Sequence, residues 1–323
     1  MRRVRYYEHG GPEVLTVEEA PVPEPGPGQV LIRAEAIGLN YVDVQIRRET
    51  DDGSIFHRPV PAPLTGDVVG VVERTGAGTD PALGGTRVVV LLEDACAEYA
   101  VADTDWLVPV PDGLDAGAAS ALPTMGAVAF GALRLGRLAA GETVMVTAAA
   151  GGIGHLAVQL ARHLGAGTVI GAAGSAAKAG FLKELGADVT VDYRQPDWTD
   201  QVRSAARGGV NVVLGAVGGD TLLQCVDLLA PFGRVVGYGA ADGHWDAVPV
   251  LRLTGLKTLS AFSLRAWRTA APDRARADIA ELTRLLESGD LRAVTRTLPF
   301  AEIAEAHRLF EDRAVLGRLV VAP

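Results

Sequence analysis

Over roughly the first 115 residues, apolar and polar positions alternate in short runs: VLTVEEAPVPEPGPGQVLIRAEAIGLN, then GDVVGVVERTG and GTRVVVLLEDACAEYAV. A period of two, punctuated by glycine and proline, predicts short strands joined by turns, with the Pro/Gly cluster at 21–28 as a loop. The one helix expected in this half lies near 41–48. Beyond residue 115 the period lengthens. Alanine-rich helical sequence (GAASALPTMGAVAFGALRLG) leads into an apolar β-branched run at 143–148. Strands at TVIGAA, VTVDY, VNVVLGAV, GRVVGYG and KTLSAF then alternate with helical segments such as KAGFLKELGA and DTLLQCVDLLA. This alternation implies right-handed βαβ crossovers and a doubly wound parallel sheet of about six strands.

After residue 263 the rhythm stops. RADIAELTRLLESG and AEIAEAHRLFEDR read as helices and GRLVVAP as a last strand. Some sixty residues are too few for a separate core, so this tail is expected to rejoin the β-rich half. The expected division is 1–118 with 264–323 as one domain and 119–263 as the other.

At 147–166 the chain reads TAAAGGIGHLAVQLARHLGA. Three glycines open a segment whose Ile153, Leu156, Ala157, Leu160 and Leu164 fall at helical spacing, with Gly165 as its stop. Glycine within a helix costs about 0.5–1 kcal/mol relative to alanine, so these need a reason. Strand, glycine turn and helix are the context of a dinucleotide fingerprint, here AxGxxG. Gly151 lets backbone approach a diphosphate, Gly154 lets the helix sit close on the sheet, and the helix N-terminus offers amides and positive dipole.

Composition narrows the possibilities. The 323 residues suggest two domains, and 48% apolar with 21% charged residues is ordinary for a globular protein. The net charge of −9, without a Lys/Arg-rich block, argues against nucleic acid as a partner. No apolar run of the ~18–20 residues needed to cross a bilayer stands out, so no membrane role is expected. The N-terminal MRRVRYYEHGG lacks the apolar stretch of a secretory signal, which makes the cytoplasm the expected location. Cys96 and Cys225 alone build neither a metal cluster nor a disulfide framework.

The stretches AIGLNYVDVQIRR, LTGDVVGVVERTGAGT, CAEYAV, AAAGGIGHLAVQLARHLGA, the GYG at 237–239 and the terminal GRLVV follow one another across nearly the whole chain. In that order the sequence resembles the medium-chain dehydrogenase/reductase superfamily, and within it the zinc-independent quinone oxidoreductase (zeta-crystallin-like) family. The resemblance implies a GroES-like catalytic domain with an inserted Rossmann domain, NADPH as cofactor in the cleft between them, and a homodimer joined through the edge strand near 257–262. The superfamily's alcohol dehydrogenases hold zinc on a cysteine and a His-Glu pair. Here those places read Asn40-Tyr41-Val42-Asp43 and Gly66-Asp67, with neither thiolate nor imidazole, and the four-cysteine lobe is missing. Zinc needs three or four such ligands, so no metal is expected. Hydride transfer to an already activated acceptor, a quinone or an α,β-unsaturated carbonyl, fits better than alcohol oxidation.

An NAD site usually carries Asp or Glu about 20 residues past the first glycine. This chain instead has Gly171-Ala172-Ala173-Gly174-Ser175, with Lys178 three residues on. No carboxylate there repels a 2′-phosphate, so NADPH is expected over NADH. By resemblance the cofactor contacts fall on Asn40, Ala150, Gly151, Gly152, Ile153, Gly174, Ser175, Lys178, Tyr193, Val217, Tyr238, Gly239 and Arg318. Arg194, like Arg318, matches a family position near the 2′-phosphate.

Asn40 and Tyr41 are the catalytic candidates: Asn40 beside the nicotinamide, Tyr41 as a general acid by position alone, with the protein core as the other place for its ring. The chain departs from the family in having Gln45 for a frequent tyrosine, Val128 for a threonine facing the nicotinamide, and Gly215-Ala216-Val217-Gly218 for Asp-Ser-Val-Gly. The segment 49–63 is irregular. His57 within it reads as an exposed loop residue or as lining the pocket mouth, and Trp245 and Trp267 as packing or as an aromatic wall. An enoyl-thioester reductase of a biosynthetic pathway, such as polyketide tailoring, is the alternative within the same chemistry. An NADPH-binding crystallin-like or RNA-binding protein with little turnover is the alternative outside it.

Overall fold

In a computed structural model that describes residues 1–49, 57–243 and 247–323, the chain separates into two compact units. Met1–Thr124 with Thr283–Pro323 form the first, and Met125–Leu282 the second. One unit interrupts the other, with divisions at 124/125 and 282/283 rather than 118/119 and 263/264. The second shift has a visible reason. Helix Pro272–Ser288 is tied into the inserted unit by Arg134 Nε to Asp278 at 2.5 Å and by His163 Nε2 to Glu281 at 2.9 Å.

The first unit is built on a mixed seven-stranded sheet. Strand Gln29–Gly38 lies at its centre, antiparallel to Gly66–Thr75, to Tyr99–Asp103 and to Arg318–Ala322. Thr295–Pro299, which the sequence pattern did not single out, pairs in parallel with Arg318–Ala322. Val30, Ile32, Ile37, Val68, Leu319 and Val321 from these strands pack into one core with Phe300, Ile303 and Phe310. Helix Val42–Arg48 follows the central strand directly.

The inserted unit is a six-stranded parallel sheet in the order 189–192, 168–173, 143–146, 210–215, 229–237, 258–261. This is the doubly wound 3-2-1-4-5-6 order, whose ligand crevice opens at the carboxyl ends of the first and fourth strands, where the winding reverses. The continuous apolar character of its strands (Val144, Met145, Val146, Val212, Val213 and Leu214 are fully buried) reflects cover on both faces. One helical stretch, Ala116–Leu135, does meet the length and hydropathy of a membrane span, contrary to the reading from sequence, but 83% of it is buried inside the protein. It is core sequence.

Candidate dinucleotide site and catalytic residues

The crevice of the inserted unit is shaped by the glycine turn. Strand Thr143–Val146 ends at Thr147, whose amide bonds the Leu214 carbonyl at 3.0 Å and whose Oγ1 accepts from the Ala216 amide at 2.9 Å. Ala148 turns with φ +47°, Gly151 N closes onto Ala148 O at 3.0 Å, and helix Gly154–His163 begins. A Cβ on Gly154 would overlap the Ala148 carbonyl and stand 2.6 Å from Ala149 Cα, so no side chain fits there. On Gly151 it would meet only Ala148 O, at 3.3 Å. Gly154 is therefore fixed by packing, whereas Gly151 keeps a small surface over the turn. Gly152 precedes the helix, and the amides of Ile153 and Gly154, at its N-cap and first position, have no intrahelical acceptors. His155, fully buried, bonds Gly151 O through Nδ1 at 3.0 Å and braces the turn.

One strand over, Thr168–Ala173 ends in Gly174 with no acidic residue. A Cβ on Gly174 would lie 3.1 Å from the Tyr193 hydroxyl and 3.3 Å from Arg194 Nε, so these side chains crowd over that glycine. Ser175 caps the following turn, its Oγ accepting from Ala177 N at 3.3 Å, and Lys178 closes that turn. Asp192 is level with Ala173 in the sheet, but its oxygens take the Arg194 amide at 3.0 Å and the Gln195 side chain at 3.4 Å. The surroundings of Gly174 are thus cationic and hydroxylic.

On the other side of the reversal, Gly218 (φ +91°) and Gly219 (φ +54°) make a bend no β-carbon favours and open helix Gly219–Asp227. Tyr238 N bonds Gly215 O at 2.8 Å and Asp242 N bonds Val217 O at 3.0 Å, which lays the Tyr238–Gly239 turn against Val217. A small concavity lies between them, lined by Thr147, Gly215, Val217, Gly218, Gly237 and Gly239. The Tyr238 hydroxyl is buried without a partner; burial, with the Tyr193 phenol nearby, raises its pKa. A dinucleotide fits this set: a bare glycine surface at a helix N-terminus, a positive end at Gly174, and a hydroxyl still lacking a hydrogen bond.

In the first unit, Asn40 is 7% exposed and its Oδ1 is buried without a donor. Its carbonyl accepts from Asp43 N at 3.2 Å, at the start of helix Val42–Arg48. Tyr41 packs against the core, its ring edge-on to Phe310 at 6.2 Å between centroids.

Arg318 requires a correction. It does not stand at a 2′-phosphate: it is 0% exposed and ion-paired with Asp67, also 0% exposed, while its Nε donates to Ser120 Oγ at 2.9 Å. Its guanidinium lies over Gly38, where any Cβ would overlap it. Thr124 Oγ1 donates to the other Asp67 oxygen at 2.6 Å. The carboxylate at the alcohol dehydrogenases' His-Glu position is thus engaged by a guanidinium and a hydroxyl. A Cβ on the adjacent Gly66 would sit 3.0 Å from Ala95 Cβ and from the Gly38 carbonyl, so an imidazole has no room there. The Asp67–Arg318 pair was invisible in the sequence because its members lie 251 residues apart.

His57 is not an exposed loop residue; it is half-buried and stacked on His9 at 5.3 Å. Trp267 is half-buried against Phe262 at 5.7 Å, and Val128 is buried. Trp245, His244 and residues 50–56 of the irregular segment lie outside the described residues.

Residues 26–112 match the alcohol dehydrogenase GroES-like domain family and residues 152–287 the zinc-binding dehydrogenase family. The chain is 33% identical to a 2-haloacrylate reductase from a Burkholderia species, over 98% of this chain and 97% of that protein. It is 32% identical to a quinone oxidoreductase of Pseudomonas aeruginosa, over 100% and 99%. The crystal structure of the Escherichia coli quinone oxidoreductase complexed with NADPH superposes with a TM-score of 0.90 at 27% identity, covering both chains completely. On this fold, this glycine turn and these full-length similarities, the chain belongs to the quinone oxidoreductase family of the medium-chain dehydrogenase/reductase superfamily.

Proposed function

We propose that this protein is a zinc-independent, NADPH-dependent reductase acting on a quinone or an α,β-unsaturated carbonyl compound. The observation that carries the reading is the glycine turn at the sheet's reversal point, paired with a neighbouring strand end where Ser175, Lys178, Tyr193 and Arg194 replace the carboxylate of an NAD site. NADPH supplies a hydride. The amides of Gly152 and Ile153 hold the diphosphate over the bare surface of Gly151, and Ser175, Lys178, Tyr193 and Arg194 hold the 2′-phosphate. Ala150, Gly174, Val217 and Gly239 shape the surface along the cofactor and the Tyr238 hydroxyl donates to it; on the first unit, Asn40 Oδ1 keeps an open acceptor position.

The acceptor is a compound already polarised. A quinone takes its proton from water, while an enone gains from a general acid. Tyr41, packed beside Phe310, holds that role by its place in the chain only. The similarity to a 2-haloacrylate reductase supports an acceptor range wider than quinones. The homodimer is part of the same reading. Strand Thr258–Ala261 ends the parallel sheet; Phe232 (70% exposed), on the paired strand Leu229–Gly237, and Leu251 (79%), just before the edge strand, carry apolar surface, which a second copy covers.

The deciding experiment follows reduced-nicotinamide absorbance with NADPH or NADH against benzoquinone, a simple enone and an enoyl thioester. NADPH consumption with quinone or enone, at least tenfold more efficient than NADH as expected of phosphate discrimination by charged hydrogen bonds, supports the reading. Cofactor binding with no turnover on any acceptor refutes it. Tyr41→Phe at full turnover on every accepted substrate removes Tyr41 as the acid.

A further inference from the structure

In the first unit, the N-terminal segment and residues 57–58 bring together a group of polar side chains that the cofactor site does not use. Tyr6, 0% exposed, is paired through its backbone with Ala62 (3.1 and 2.9 Å), which brings the N-terminal segment beside residues 57–62. The His9 ring meets Tyr6 edge-on at 5.9 Å and lies nearly parallel to His57 at 5.3 Å, 25° between planes. Arg58 gives Nη2 to Glu93 at 2.6 Å. Its Nη1, the Tyr6 hydroxyl and one ring nitrogen each of His9 and His57 are buried with no hydrogen-bond partner.

The imbalance has a sign. Guanidinium nitrogens only donate, and a phenol donates readily. A buried donor without an acceptor costs about 1–3 kcal/mol; Arg58 Nη1 and the Tyr6 hydroxyl are two such atoms, and each imidazole offers a third or fourth in the tautomer that protonates Nδ1. The acidic groups nearby do not answer them. Asp43, close enough to act electrostatically on both Tyr6 and Arg58, has both oxygens committed to Thr65, to its amide and to its hydroxyl, each at 2.8 Å. Glu93 is 82% exposed and takes only the outer nitrogen of Arg58. Arg58 Nη1 and the Tyr6 hydroxyl thus lack an acceptor, and a carboxylate carries two oxygens able to take several donors at once.

We propose that Tyr6, His9, His57 and Arg58 form a binding site for the carboxylate of a small conjugated acid. As a statement about the acceptor this rests on the reductase reading above; as a statement about anion binding it does not. The site recognises the charged end of the molecule and lies on the unit that carries Asn40, from whose carbonyl Asp43 at the cluster's edge hangs by its amide.

Calorimetric titration of the full chain with acrylate and with acrylamide, its neutral counterpart of the same shape, tests the site without turnover. Acrylate is expected to bind at least about tenfold more tightly, the size of a charge-assisted hydrogen bond. Arg58→Gln is expected to bring the two to parity and Arg58→Lys to leave part of the preference. Equal binding, or no binding of either compound to the wild-type chain, overturns the proposal without needing any variant to fold. NADPH oxidation with but-3-en-2-one is run alongside. Turnover of that neutral enone without preference for acrylate overturns this site alone. Preference for acrylate without turnover of any acceptor supports the site and removes the reductase reading.

Discussion

Arg318 and Asp67, on strands that both flank the central strand of the first unit, form an ion pair with no solvent exposure at either residue. Burial pulls the arginine's pKa down and Asp67 opposes that shift. Breaking such a pair strands a buried charge and costs about 3–5 kcal/mol, while replacing both partners is nearly neutral. Arg318→Met is therefore expected to lower unfolding stability by that amount. Asp67→Asn with Arg318→Met should recover most of it, since asparagine still accepts from Thr124. Urea unfolding of the two single variants and the double variant measures the difference.

Gly151 and Gly154 make contrasting demands. Gly154→Ala forces a methyl into the Ala148 carbonyl and should cost about 1–3 kcal/mol as an overpacked site. Gly151→Ala meets one atom at 3.3 Å and should leave the melting temperature nearly unchanged while weakening NADPH binding tenfold or more, by about 1.4 kcal/mol. Thermal unfolding and fluorescence titration with NADPH separate the two effects. A Gly151→Ala protein with wild-type NADPH affinity would show that nothing approaches that surface.

Arg194 leans over Gly174 beside Tyr193. Arg194→Gln is expected to raise KM for NADPH about tenfold or more, the worth of a charge-assisted contact, and to leave KM for NADH unchanged. Equal effects on both coenzymes would assign Arg194 to the fold and not to the phosphate.

The parallel sheet, the glycine turn and its helix were legible because their signals are local: a strand, a bend and a 3.6-residue period lie within twenty-five residues. The absence of a carboxylate after strand Thr168–Ala173 was legible for the same reason. Long-range pairings were not. Arg318 looked available because nothing near it in the chain announces Asp67. His9 and His57 showed no partner pattern, since their stacking depends on the bridge between Tyr6 and Ala62. The division at Leu282 leaves no trace in the sequence because RADIAELTRLLESG reads as one helix wherever it falls; Asp278 and Glu281 hold its first part by side-chain contacts without periodic signature.

Two buried groups tie stability to pH with opposite signs. Burial raises the Asp43 carboxyl from 3.8 to about 7 despite its bonds from Thr65. Between those values the folded protein keeps a proton the unfolded chain has shed, so this contribution is full below pH 3.8 and is lost as pH rises to about 7. Burial and the nearby Arg47 lower His307 from 6.5 to about 3, so its contribution is full above pH 6.5 and is lost as pH falls to about 3. Each amounts to roughly 4–5 kcal/mol at about 1.4 kcal/mol per unit. Asp43→Asn should gain on the wild type as pH rises from 4 to 7, and His307→Gln should gain as it falls over the same range. Urea midpoints of the three proteins across that interval test both slopes.

The first unit is made from two separated stretches, Met1–Thr124 and Thr283–Pro323, and this sets an order of events on the ribosome. Asp67 emerges 251 residues before the arginine that neutralises it, so the growing sheet waits with an uncompensated acid in its interior. The inserted unit, Met125–Leu282, is contiguous and can close as soon as it clears the exit tunnel. A nascent chain halted after Leu282 is thus expected to be protease-resistant across its later half and cut readily through its earlier one, until release of strand Arg318–Ala322 completes the sheet.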